Sequence, residues 1–132
     1  MTVREENWGV WRAKRGLVVA LVGREGRPRR VIRSALTDDA RFGLLEYLVA
    51  AGAELVVTDA LSRVELLPGQ AVCRGLVVWS VGDAFIGALL AAAGIRDPVR
   101  AAAMLGRFPA IPLLRGHLHL HSRQLSLLAP SR

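Results

Sequence analysis

Three groups of side chains in this sequence have types and spacing that could do chemistry. The carboxylates Asp59 and Asp97, with Asp83 as a third, could hold a divalent ion such as Mg or Mn, whose charge would activate a nucleophile and stabilise a leaving oxygen. His117, His119 and His121 alternate with leucine. On a strand, neighbours of that spacing lie ~7 Å apart on one face, so two of them could share a tetrahedral ion, whereas all three span ~13 Å. No Asp, Glu or Cys from Leu113 onward completes such a set. Arg12, Lys14, Arg15, Arg24, Arg27, Arg29, Arg30 and Arg33 form the third group, which could grip phosphates.

Each group has a plainer reading beside it. Asp59 can simply end a strand and Asp97 cap a helix, and capping is so common a role for Asp that it is expected first. The basic group can be a solvated rim. Only Trp8 and Trp11 lie near it, so recognition of single strands by base stacking has weak support, and Trp8, Trp11 and Trp79 are expected in the core or an interface. Cys73 has no partner in the sequence and is expected as a buried thiol. The sequence contains no G-x-x-x-x-G-K-[ST] phosphate loop, no G-x-S-x-G elbow and no C-x-x-C pair.

The elements that must position these groups read clearly over most of the chain. Trp8 to Ala13 and Leu17 to Val22 are strand-like, joined at Ala13-Lys14-Arg15-Gly16 by a hairpin turn. The second run is nearly continuous in apolar residues, as expected of a strand covered on both faces. After the turn from Gly23 to Pro28, Arg29 to Leu36 alternates imperfectly and fits an arginine-protected edge strand. Thr37 is an expected N-cap, followed by Asp38 and Asp39 in a first turn; Phe42, Leu45, Leu48 and Val49 recur at helical spacing, and Gly52 ends the helix. Glu54 to Asp59 is a buried strand, reached by a crossover that implies parallel pairing.

Ala60 to Gly75 is less regular, with Pro68-Gly69 expected as a turn. Leu76 to Trp79 is a strand, and Ser80-x-x-Asp83 matches a capping box for an apolar helix that stops at Gly94. Phe85, Leu89, Ala92 and Ala93 are expected to pack that helix on the sheet, leaving an Ala and Gly surface for another helix. Asp97-Pro98 opens a further helix to about Arg107, ended by Pro109 and Pro112. The tail, 108–132, reads either as a strand through HLHLH or as a helix with Leu118, His121, Leu125 and Leu128 on one face.

Composition bounds the remaining alternatives. The chain of 132 residues is expected to form one domain with a single core. With 52% hydrophobic and 22% charged residues it carries more apolar surface than a small monomer easily hides, which favours a homo-oligomer. The apolar run Ala84 to Ile95 is too short for a ~30 Å hydrocarbon layer, so no membrane span is expected. Arg4, Glu5 and Glu6 argue against a secretory signal, and a lone Cys73 suits a reducing cytoplasm. The net charge of +7 is uneven: residues 1–36 hold nine cations against three acids, 37–99 four against eight, and 100–132 five against none. Such clustering suggests a polyanion, DNA or RNA first, although arginine-rich usage can also reflect genome composition.

Three antiparallel strands followed by a helix, a parallel strand and further helices is the order of the ribonuclease H-like fold. Gly9-Val10-Trp11-Arg12-Ala13-Lys14 and the following run Gly16-Leu17-Val18-Val19-Ala20-Leu21-Val22 resemble the first hairpin of the DEDD transposases, whose nuclease domain is of the RuvC type. Asp97-Pro98-Val99-Arg100-Ala101 resembles that family's Asp-x-x-Asp-Ala helix. The resemblance covers about residues 8–107.

What the resemblance implies is an α/β fold, a mixed sheet with antiparallel hairpins first and then a parallel strand, covered by helices, and four carboxylates on two divalent ions. Trp11 stands at the first carboxylate position, Asp59 and Asp97 at the second and third, and Arg100 at the fourth. An indole and a cation in that set oppose Mg or Mn binding. The resulting expectation is a non-catalytic nucleic-acid-binding or accessory protein derived from a transposase-like nuclease. The alternatives are a homo-oligomeric protein-interaction module and a divergent metal-dependent nuclease using Asp59, Asp97 and Asp83.

Overall fold

The chain was characterised through a computed structural model that describes residues 6–23 and 25–120. β1 (Asn7–Ala13) and β2 (Gly16–Val22) form an unbroken antiparallel hairpin whose register runs from Asn7 opposite Val22 to Ala13 opposite Gly16, leaving Lys14 and Arg15 as the loop. β3 (Pro28–Ser34) pairs antiparallel with β2, with a register shift at Leu21 and Val22. α1 (Asp38–Ala50) then crosses to β4 (Leu55–Asp59), which is parallel to β1. A 3₁₀ turn at Arg63–Leu66 and the short α2 (Pro68–Cys73) lead to β5 (Val77–Val81), parallel to β4. α3 (Asp83–Ala92) and α4 (Pro98–Arg107) follow. A 3₁₀ turn at Phe108–Ala110 and α5 (Pro112–Arg115) precede β6 (Leu118–Leu120), antiparallel to β5. The six strands form one mixed sheet in the order β3-β2-β1-β4-β5-β6.

Strand alternation sends the apolar residues into two layers. On one face Trp8, Val10, Leu17, Val19, Val56 and Val78 meet Leu44, Leu45 and Leu48 of α1, together with Leu66 and Ala71. On the other, Val57 and Val81 pack with Ile86 and Leu90 of α3 and Leu105 of α4, while Val18, Ala20 and Val22 meet Ala102 and Ala103. β2 is therefore covered on both faces, which is why its apolar run is continuous. β3 is one edge strand of the sheet, and its arginines are exposed.

The closest packing joins α4 to β1. A Cβ at Gly9 would fall inside the Ala102 carbonyl, and one at Gly106 would stand 2.9 Å from the Asn7 carbonyl oxygen. Two glycines therefore let helix and strand backbones touch directly, with alanines filling the remaining space. Helix ends follow their local chemistry. Thr37 accepts the Ala40 N–H, Asp97 accepts the Val99 N–H, and Gly52 takes φ +82° as the Ala53 N–H returns to Leu48 O.

Several expectations need correction. The buried stripe of α1 is Leu44, Leu45 and Leu48, while Phe42 and Val49 lie on its solvent side, Phe42 beneath the Arg74 guanidinium. Pro68 is the first residue of α2 rather than a turn residue; the reversal falls one residue earlier, at Leu67 with φ +48°, held there by packing against the core. Ser80 does not cap α3, because β5 runs on to Val81 and keeps Ser80 in the ladder, where its hydroxyl donates to His119 O; Gly82 precedes the helix instead. α3 buries Ile86 and Leu90, with Phe85 and Leu89 partly covered and Ala92 and Ala93 exposed. Cys73 is exposed at the end of α2. Within the tail, Leu118–Leu120 is a strand that extends the sheet, and His121, Leu125 and Leu128 lie outside the described residues. Among the described residues no helix is long and apolar enough to cross a membrane.

Candidate nucleic-acid interface

The basic group is built on one half of the sheet, and every described member of it is exposed: Arg12, Lys14, Arg15, Arg27, Arg29, Arg30 and Arg33. Arg24 lies outside the described residues. The hairpin loop carries Lys14 and Arg15, and the pairing of Leu17 with Ser34 sets Arg33 at the same end of the sheet. Arg29 lies near the opposite end of β3 and Arg27 just before it, roughly 13 Å and 20 Å from Arg33 at ~3.3 Å per strand residue. The group is thus two clusters at the ends of an edge strand, not one patch.

Their neighbours divide them further. Arg12 lies 3.9 Å from Glu65, whose other carboxylate oxygen accepts from Arg41 at 3.1 Å. Arg29 pairs with Glu6, and Arg30 donates to the Tyr47 hydroxyl at 3.0 Å. Among the described residues, Lys14, Arg15, Arg27 and Arg33 have no acidic partner. Arg15 and Arg33 line one shallow cleft of about 220 Å³ with Ala13, Gly16, Leu17, Val18, Ser34 and Ala35. Sequence reading placed both arginines in the basic group but not beside each other, because their proximity is a matter of strand register.

The carboxylates assemble differently from the basic group. Asp59 ends β4 with 8% of its surface exposed. Burial raises its carboxyl above the usual 3.8, and a hydrogen bond and the negative charge of Asp83 raise it further, against lowering contributions from the Ser62 hydroxyl and backbone. Asp83 also accepts the Leu61 N–H at 3.2 Å, tying the start of α3 to the end of β4.

Trp11 lies one step past the last paired residues of β1 and β4, Val10 and Thr58, and packs on the face that carries Val57. The indole therefore occupies the strand position next to Asp59. Asp97 is exposed, and its carboxylate is committed to the Val99 N–H at 3.1 Å; Arg100 is exposed one turn further along α4. Among the described residues no three His, Cys, Asp or Glu side chains come together to hold a metal. His117 stacks on Phe85 at 3.7 Å, His119 is exposed on β6, and His121 lies outside the described residues.

The tryptophans follow the plainer expectation: Trp8 is in the core, edge-on to Tyr47, while Trp11 and Trp79 pack against the α3 and α4 layer. Compared with known proteins, the chain matches no model of a protein family and none of the curated sequences.

Proposed function

We propose that this chain binds nucleic acid through the phosphate backbone, as a ribonuclease H-like domain derived from a transposase-like nuclease, and that it does so without cutting its ligand. The observation that carries the proposal is the free basic rim: Lys14, Arg15, Arg27 and Arg33 project from the β1–β3 half with no acid among the described residues to neutralise them. Phosphates reward such a rim through counterion release. The ribonuclease H-like part of the proposal draws support from three antiparallel strands followed by two parallel ones. The non-cleaving part rests on Trp11 beside Asp59, and on the burial of Asp59, which disfavours the charged carboxylate that a divalent ion would need.

Fluorescence anisotropy with labelled duplex DNA and duplex RNA, read from 50 to 200 mM salt, tests it. Each phosphate that the rim neutralises is expected to add about −0.9 to the slope of log affinity on log salt for B-DNA. No binding at low salt, or binding indifferent to salt, would reject the proposal. Manganese-dependent cleavage that disappears in Asp59→Asn would replace it with the nuclease reading.

A homo-oligomeric interaction module remains as a second reading, favoured by the exposed small-residue side of α3, with Ala84, Gly87, Ala88 and Ala91, and by Leu61 and Leu113 at 76% and 87% exposure. A strictly monomeric species in light scattering counts against it.

A further inference from the structure

We propose that the cleft between the β1–β2 hairpin loop and the end of β3 is a phosphate subsite, in which Arg15 and Arg33 together grip one backbone phosphate. The inference deepens the nucleic-acid reading and rests on it for the identity of the ligand. The two arginines are eighteen positions apart in sequence and are brought to one cleft by the β2–β3 register, which sets Val18 opposite Arg33 and Leu17 opposite Ser34. Gly16 makes that approach feasible: a Cβ there would collide with the Ser34 carbonyl oxygen, so the loop can lie against β3 only with glycine at this position.

The lining fits an anion held against an apolar floor. Ala13, Leu17, Val18 and Ala35 supply the floor, and the two guanidiniums are the charged groups. Ser34 does not compete as a donor, because its hydroxyl already bonds the carbonyls of Ala35 at 3.0 Å and Ala40 at 3.4 Å. No carboxylate lines the cleft. Each arginine can offer a planar fork of parallel N–H groups that matches phosphate oxygens, and the two exposed side chains flank the same cleft. A volume of about 220 Å³ admits one phosphate with part of its sugar, not a duplex groove. The cleft thus anchors a single point of the backbone, and Arg27 and Arg29 at the far end of β3 add only diffuse attraction.

Two measurements on the full chain separate this inference from the function beneath it. The first compares Arg15→Gln/Arg33→Gln with Arg27→Gln/Arg29→Gln in duplex binding, each variant checked for an unchanged melting temperature. The cleft variant is expected to lose about tenfold more affinity than the other, and its salt slope to shrink by about one unit, the loss of one phosphate contact. Equal losses overturn the subsite and leave the nucleic-acid reading standing.

The second titrates inorganic phosphate while following arginine Nε–H resonances by NMR. Saturable shifts confined to Arg15 and Arg33 support the subsite; shifts spread over all arginines, or none, overturn it. Phosphate saturation without any duplex binding keeps the anion site and rejects the nucleic-acid reading.

Discussion

The β1–β3 half of the sheet and the carboxyl end of β4 lie side by side yet handle charge in opposite ways. Around the hairpin, long arginine side chains leave the strands and keep their heads in water, so the cations coexist at little cost to the fold. At the end of β4 the short Asp59 side chain has no such reach. It is buried beside Asp83, and burial raises its carboxyl above the usual carboxylate range. The same type of position, a strand end next to a turn, therefore yields an outward charge with a long side chain and an inward, buried carboxyl with a short one. Only the first is organised to meet a charged ligand.

The support beneath the basic half gives the largest expected effect. Gly9→Ala forces a methyl into the Ala102 carbonyl, so α4 must lift from β1, at a cost on the order of 3 kcal/mol in urea unfolding. Gly87→Ala, in the exposed middle of α3 with open space around it, is expected to stabilise by about 0.5–1 kcal/mol. Similar outcomes for the two would mean that the backbone contact between α4 and β1 is not what holds the layers together.

An intermediate effect comes from the carboxyl pair, and its sign is set by linkage. The folded-state value of Asp59 lies above 3.8, so the unfolded chain releases its proton first as pH rises. Stability is accordingly highest below about 3.8 as far as this group is concerned, and is lost progressively as pH climbs toward the folded-state value. Asp59→Asn removes that loss: its melting temperature at pH 7 is expected above that of the parent chain, with a flatter profile from pH 4 upward. Parallel profiles for the two proteins would show that burial does not raise the Asp59 carboxyl in the folded chain.

The smallest effect belongs to Arg12. Its ion pair with Glu65 is long and half exposed, and Glu65 already has Arg41, so Arg12→Gln should change stability by less than about 0.5 kcal/mol. A larger loss in chemical denaturation would make Arg12 part of the structural frame rather than of the rim.

Much of this frame was legible in the residues. The unbroken apolar run of β2, the arginines of β3, and Thr37, Asp97-Pro98 and Gly52 at helix ends each act through neighbours a few residues away, and each behaves as its local chemistry predicts. Where a local signal failed, a longer-range contact had overruled it. Ser80-x-x-Asp83 has the spacing of a capping box, but pairing of β5 with β4 and β6 holds Ser80 in the sheet. Phe42 and Val49 have the spacing of a core stripe, but the face that α1 packs on the sheet carries Leu44, Leu45 and Leu48.

The same division separates what this sequence determined alone from what tertiary structure decided. Composition and periodicity determined an α/β chain with a basic first half, exposed arginines on an edge strand, and no carboxylate at Trp11. They did not determine which of those charges meet. Arg15 joins Arg33 through the register of β2 on β3, and Asp59 joins Asp83 across the parallel pairing of β4 with β5. Local propensities act over a few residues, whereas register is selected by the packing of whole faces, and a one-residue slip of β3 or β4 would send Arg33 or Asp59 to the opposite side of the sheet.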